Sequence, residues 1–239
     1  MTETTGLVVS AHSADFVWRA GGAIAQAAAR GTRMTVICLS FGERGESARL
    51  WKQPGMTLQT VKDTRRAEAE RAAEILGVHD IQFWDLGDYP MQLSHDILLR
   101  LTAIYRAVRP EFVLTHSRRD PYNFDHPAVS DLTQHARVIA QAHGHAPDEA
   151  VLGAPPVYLF EPHQPEQSGW VPNLLLDISA VWPRKRAAIE CMAGQEHLWE
   201  YYTRVALNRG VQAGRNSGRA ATHGEGYDAI FPRVTDSLP

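Results

Sequence analysis

Along this chain, apolar runs of strand length alternate with longer stretches whose apolar residues recur at helical spacing. That alternation is the mark of βαβ units, in which a mostly parallel sheet is covered by helices on both faces. A first strand is predicted over 6–11 and a helix over 17–30, ended by Gly31. Met34 to Ser40 reads as the second strand, being rich in valine, isoleucine and leucine. Phe41 to Gln59 then forms a long loop, and a connection of that length inside a compact domain usually carries function. Thr60 to Leu76 has an apolar stripe of alanines and Leu76, with Gly77 as its stop. Ile81 to Leu86 is the third strand, and Ser94 to Val108 a helix that Pro110 prevents from continuing. The strand Glu111 to Thr115 and a helix over 127–143 complete the core pattern.

After Gly144 the texture changes to prolines and aromatics. Pro155 to Phe160 reads as a strand, Glu161 to Trp170 as a polar loop and Leu174 to Ile178 as a short extra strand. Helices are expected over 182–193 and 195–211. The organisation this implies is a single α/β domain over 1–212, followed by a tail over 213–239. Being rich in glycine, arginine, serine and asparagine, the tail is expected to be loosely ordered or docked.

Composition narrows the possible functions. A formal charge of −3, with basic residues scattered rather than grouped, leaves no field for nucleic acid. Only Cys38 and Cys191 are present, so neither a disulfide framework nor a cysteine zinc cluster is supported, and a reducing compartment fits. No apolar stretch approaches the ~18 residues of a membrane span, and the first residues lack the pattern of a signal peptide. The expectation is a soluble cytoplasmic protein. No G-x-G-x-x-G follows the first strand, which disfavours a nucleotide cofactor.

The first strand ends on Ser10-Ala11-His12-Ser13-Ala14-Asp15, placing a histidine and a carboxylate three residues apart at one rim of the sheet. His12 and Asp15 read as half of a metal site, or more plainly as a loop histidine and a helix-capping aspartate. A second polar loop, residues 115–129, follows the Phe112 strand at the same rim, where open α/β sheets place their ligands. Its His126 is the natural third ligand, and three protein ligands with an open fourth position describe one catalytic Zn2+ per subunit. Glu46 in the second-strand loop is the preferred general acid/base, with Glu43 the alternative. His163 follows the last core strand and suits proton transfer near neutrality, although a solvated loop histidine has the same appearance. His116 is a candidate for orienting a ligand. Arg44, Arg49 and Arg118, with Tyr122 and Asn123, lie in the rim loops and are expected to bind substrate, because arginine's planar fork pairs with carboxylates.

With these residues in view, the chain resembles the N-acetylglucosaminyl deacetylases of the PIG-L/LmbE type, Rossmann-like zinc enzymes. Their Ala-His-Pro-Asp-Asp-Glu motif appears here as Ala11-His12-Ser13-Ala14-Asp15-Phe16, and their later Asp-His pair as Asp125-His126. The resemblance implies zinc ligands His12, Asp15 and His126. It also places Ala14 where the deacetylases keep their general base. Longer strings, among them Phe160-Glu161-Pro162-His163-Gln164-Pro165-Glu166 and Gln195-Glu196-His197-Leu198-Trp199-Glu200-Tyr201-Tyr202, are similar to the 4-oxalomesaconate (4-carboxy-2-hydroxymuconate) hydratase branch of gallate and protocatechuate 4,5-cleavage. That branch implies a lyase acting on a small tricarboxylate, with proton transfer on Glu46 and His163.

Two rivals stand beside this reading: a zinc amidase in which Glu43 or Glu46 replaces the missing aspartate, and a non-catalytic Rossmann-like binding protein. A homo-oligomer is expected, and Trp199, Tyr201 and Tyr202 read equally as subunit packing or as core of the same chain.

Overall fold

The computed structural model of the chain describes residues 4–232 and 234. Its elements in chain order are β1 (Thr5–Ser10), α1 (Asp15–Ala29), β2 (Arg33–Cys38), α2 (Ala48–Trp51), α3 (Leu58–Leu76), β3 (Asp80–Phe83), α4 (His95–Val108), β4 (Phe112–Thr115), α5 (Asp125–Ala140), β5 (Val157–Phe160), β6 (Leu174–Asp177), α6 (Trp182–Glu190), α7 (Trp199–Ser217) and β7 (Gly224–Ala229). Short 3-10 turns cover Pro165–Ser168, Ser179–Val181 and Ala193–Leu198.

One seven-stranded sheet runs β3-β2-β1-β4-β5-β7-β6. The first five strands in that order pair in parallel, and β7 runs antiparallel to both β5 and β6. Successive residues of β1 feed opposite faces. Val8 joins the core under α1, α3 and α6, whereas Leu7 and Val9 join the core under α4 and α5. This is the α/β sheet with helices on both faces that the hydrophobic pattern predicts.

Local chemistry sets the helix ends. Thr57 and Thr60 form a reciprocal capping box at the start of α3, and Gly77 ends that helix at φ 80°, in the left-handed region that glycine enters freely. Ser94 Oγ accepts the Ile97 N–H to start α4. Among the described residues, no helix is long and apolar enough to cross a membrane.

The boundary expected after residue 212 falls within a helix. Residue 212 lies inside α7, which continues to Ser217, and residues 224–229 form a strand in the interior of the sheet. The part of the tail over 235–239, with residue 233, lies outside the described residues. Glycine made this segment look loose, yet here it permits contact. A Cβ on Gly224 would stand 2.7 Å from the Arg209 carbonyl carbon, and one on Gly210 would stand 2.3 Å from Thr222, so β7 rests directly on α7. Other boundaries move less. Residues 191–198, expected as the end of one helix and the start of the next, instead contain a 3-10 turn in which Gln195 is non-helical (φ −126°, ψ 35°).

Strand order reverses at β1 and β4, which lie side by side while their chain continuations diverge. The loops after their carboxyl ends, residues 11–14 and 116–124, face the same crevice, the usual ligand position in an open α/β sheet.

Candidate metal centre and active site

Side chains from the ends of these two loops and from the loop after β2 meet above β1. His12, at the end of β1, is locked in place by its own turn, because its N–H donates to Asp15 Oδ2 at 2.8 Å. Asp15 opens α1 and therefore points back at the strand end. His126 sits in the first turn of α5, and Glu46 on the loop between β2 and α2. One donor atom from each of His12, Asp15, Glu46 and His126 lies within 4.8 Å of all the others. His12 Nδ1 is 3.2 Å from Asp15 Oδ2, 3.2 Å from Glu46 Oε1 and 3.3 Å from His126 Nε2.

A second layer of carboxylates settles which ring nitrogens face inward. Asp125 Oδ2 stands 3.4 Å from His12 Nε2 and accepts the Tyr89 N–H, while its other oxygen accepts the Met91 N–H. Asp120 Oδ2 is 2.8 Å from His126 Nδ1. An ionised carboxylate has only lone pairs, so it draws the imidazole proton to its own side. Asp125 and Asp120 thus give the outer nitrogens, Nε2 of His12 and Nδ1 of His126, acceptors to donate to, the support that metal-ligating histidines usually have, and a cation would take the inner nitrogens in place of protons. Burial alone would raise the Asp15 carboxyl, but His126, His116 and His12 hold it well below the usual carboxylate range. For His12, burial opposes the charged form, yet Glu46, Asp125 and Asp15 together raise its pKa well above that of a free histidine. Two imidazole nitrogens and two carboxylates, buried and pointed at one small volume, fit a divalent cation.

His116 packs flat against His126, ring centroids 4.1 Å apart, and its Nε2 accepts the Ala11 N–H at 2.9 Å. It meets His126 by stacking and not through a hydrogen bond. Ala14, fully buried in the core beneath α1, offers only a methyl group.

A cavity of about 230 Å³ opens beside the cluster. Glu46, His163, Tyr122 and Asn123 all line it. Asn123 Nδ2 donates to Glu46 Oε1 at 3.0 Å and holds the carboxylate over the cluster. Burial first, and then His12 and His126, act on the Glu46 carboxyl in opposite senses, and the histidines prevail, so it lies below its ordinary pKa. His163 is wedged between Tyr122 and Tyr201, ring centroids 5.5 and 4.5 Å away, and burial followed by Arg19 lowers its pKa. Glu43, the alternative acid/base, is fully buried away from the cavity, where the Phe41 N–H donates to its Oε2.

The three arginines expected to bind substrate do not line the cavity. The Arg44 backbone N–H is taken by the Asp88 carboxylate, and its side chain lies outward, half exposed, 3.8 Å from Glu43. Arg49 forms an ion pair with Glu196, and Arg118 is exposed. The cation in the cavity is Arg19, which sequence reading missed. Its position four residues after Asp15 puts both on one face of α1, and that spacing was the available signal. Trp18, Tyr89, Gln195, His197 and Tyr202 also line the cavity without having been singled out for it. Tyr202 stacks on Trp18 at 5.1 Å, so this aromatic segment packs within its own chain.

Fold and site together define an α/β protein with a candidate metal centre at the carboxyl ends of its parallel strands, and comparison with known proteins gives the family: the chain belongs to the PIG-L family (GlcNAc-PI de-N-acetylase), whose model matches residues 7–137. It is 62% identical to the 4-oxalmesaconate hydratase of Pseudomonas putida, across 99% of this chain and 93% of that protein. The crystal structure of GalB, the 4-carboxy-2-hydroxymuconate hydratase from Pseudomonas putida KT2440, superposes with a TM-score of 0.96, covering 99% of this chain and all of that one at 62% identity. N,N'-diacetylchitobiose deacetylase from Pyrococcus horikoshii shares the fold, with a TM-score of 0.79 at 22% identity over 95% of this chain and 84% of that one.

Proposed function

We propose that this chain is a hydro-lyase that adds water to the conjugated double bond of 4-oxalomesaconate / 4-carboxy-2-hydroxymuconate, giving 4-carboxy-4-hydroxy-2-oxoadipate. The observation that carries this reading is the near-complete overlap with the Pseudomonas putida hydratase, 62% identical over 99% of the chain. The site supports it independently. Ala14 stands where the resemblance places a deacetylase's general base, and a buried methyl group neither accepts a proton nor orients water.

His12, Asp15 and His126 are the proposed ligands of a divalent cation, taken here as zinc, one per subunit. When bound, the cation supplies Lewis acidity to the reaction. Glu46, positioned over the cluster by Asn123, is the base that takes a proton from the attacking water. The hydroxyl oxygen bonds to the carbon bearing the 4-carboxylate, and the neighbouring carbon of the double bond accepts a proton. His163, protonated, supplies that proton, and the proton on Glu46 later returns through solvent, so one water is consumed and the enzyme is regenerated. The bound carboxylates place negative charge beside the imidazole and favour its protonated form during turnover.

The test is direct. Pure protein should abolish the conjugated ultraviolet band of the tricarboxylate, and a chelator should stop it. Failure of the metal-loaded protein to consume that band, or release of acetate from an N-acetylated sugar, would overturn the assignment.

A further inference from the structure

Gln195 is held in a single orientation by a residue that never reaches the cavity. Arg65 is completely buried, and its guanidinium donates to Phe41 O at 3.4 Å, Glu68 Oε2 at 2.7 Å and Gln195 Oε1 at 2.5 Å. A guanidinium has no acceptor, so it binds only the carbonyl oxygen of the amide. The other branch of the amide, the NH2 donor, is thereby turned away from Arg65. Glu68 fixes the adjoining backbone as well, accepting the Gly194 N–H at 2.7 Å. Gln195 itself is 4% exposed and lines the cavity beside the metal cluster. Its amide nitrogen has no hydrogen-bond partner among the described residues.

Arg19 presents a second donor to the same cavity. It is 7% exposed, its Nη1 donates to Glu161 O, and its Nε is 3.5 Å from Asp15 Oδ1. Its Nη2 finds no partner at hydrogen-bond distance among the described residues, and Asp120 Oδ2 stands 3.9 Å from it. Two donors with spare hydrogens, carried into the cavity by largely buried side chains and one of them cationic, make a recognition element for an anion with two acceptor oxygens.

We propose that Arg19 and Gln195 form the subsite that holds a carboxylate of the substrate, with Arg65 acting as a positioning residue that presents the Gln195 amide nitrogen. The identity of the substrate rests on the hydratase reading above, while the subsite itself rests on the donors described. A carboxylate there satisfies both donors, and a bound ligand that covers them without offering one leaves them unpaired. That penalty makes a polar site selective.

The competing account makes Gln195 a strut between α3 and the 3-10 turn, a role that uses only its carbonyl oxygen. Gln195→Glu separates the two accounts. It keeps an acceptor for Arg65, now charged, and turns an oxygen toward the cavity in place of the donor. The strut account expects unchanged kinetics. The subsite account expects KM to rise ~10–100-fold, with the loss falling on KM rather than kcat, and with metal content and melting temperature retained.

Calorimetric binding of propane-1,2,3-tricarboxylate, an unreactive saturated ligand, gives a second readout that does not depend on turnover. The metal-loaded wild type should bind it more tightly than Gln195→Glu or Arg19→Lys does, and the difference should shrink for the dicarboxylate glutarate. Should Gln195→Glu fail to fold, Arg19→Lys carries the same comparison. Wild-type KM and tricarboxylate affinity in the folded variants would overturn the subsite. Intact, variant-sensitive binding in a wild type that does not hydrate the unsaturated tricarboxylate would overturn the hydratase reading instead.

Discussion

Asp120 Oδ2 lies 2.8 Å from His126 Nδ1, and this contact fixes which nitrogen of His126 is free to face the metal cluster. Burial acts to raise the Asp120 carboxyl, but its bond to His126 and the charge of Arg19 prevail and hold it low, so it is an acceptor across the neutral range. Asp120→Ala should therefore weaken metal binding by ~10–100-fold, the usual cost of removing such a partner. Competition with a metal-sensing chelator measures it. An unchanged metal dissociation constant would show that the ring needs no such support.

Glu46 is both within reach of the metal cluster and on the cavity wall, and Glu46→Gln distinguishes the two roles. As a base, its loss should lower kcat by ~10²–10⁴-fold while metal content stays at one per chain. Metal analysis of the purified variant decides the matter, since a variant isolated without metal would make Glu46 a ligand first.

His163→Ala should lower turnover by a comparable ~10²–10⁴-fold with the metal retained. The pH profile carries a sign. Burial and Arg19 lower the His163 pKa, and an acid must be protonated, so kcat/KM should decline as pH rises through a value below the ~6.5 of a free histidine. The kcat profile should break at higher pH, because bound carboxylates favour the imidazolium. Persistence of the kcat/KM limb in His163→Ala would assign it to another group.

Lys185 and Glu225 form an ion pair of 2.7 Å with both residues buried, and Glu225 also accepts the Gly22 and Ala23 N–H groups of α1 at 2.6 and 2.9 Å. Lys185→Met would leave that carboxylate without its counter-charge and should destabilise the fold by ~3–5 kcal/mol. Urea denaturation monitored by tryptophan fluorescence reads this directly, and a change below ~1 kcal/mol would mean that the helix N–H groups suffice.

The sheet was legible from the sequence because its inner parallel strands are largely apolar runs buried on both faces. β1 and β2 show this most clearly. β7 was not legible, since Gly224-Glu225-Gly226-Tyr227-Asp228-Ala229 has no hydrophobic run. It is held by backbone pairing and by the burial of Glu225 and Tyr227, and neither leaves a periodic trace. Within the site, His12, Asp15 and His126 stood out because strand ends project side chains at one rim. The arginines misled because exposure of a loop charge depends on its backbone partner: Asp88 turns Arg44 outward. Gln195 owes its place to Arg65, 130 residues away in the chain, a distance no local pattern spans.

The position of β7 also bears on how the molecule is assembled during synthesis. Among the described residues, β6 meets the rest of the sheet only through β7, which is made some fifty residues later and lies between β6 and β5. An emerging chain can build the parallel half and its helices early, as N-terminal regions generally do. Its far edge stays unzipped until the last strand slots in, bringing with it the glutamate that grips the first helix.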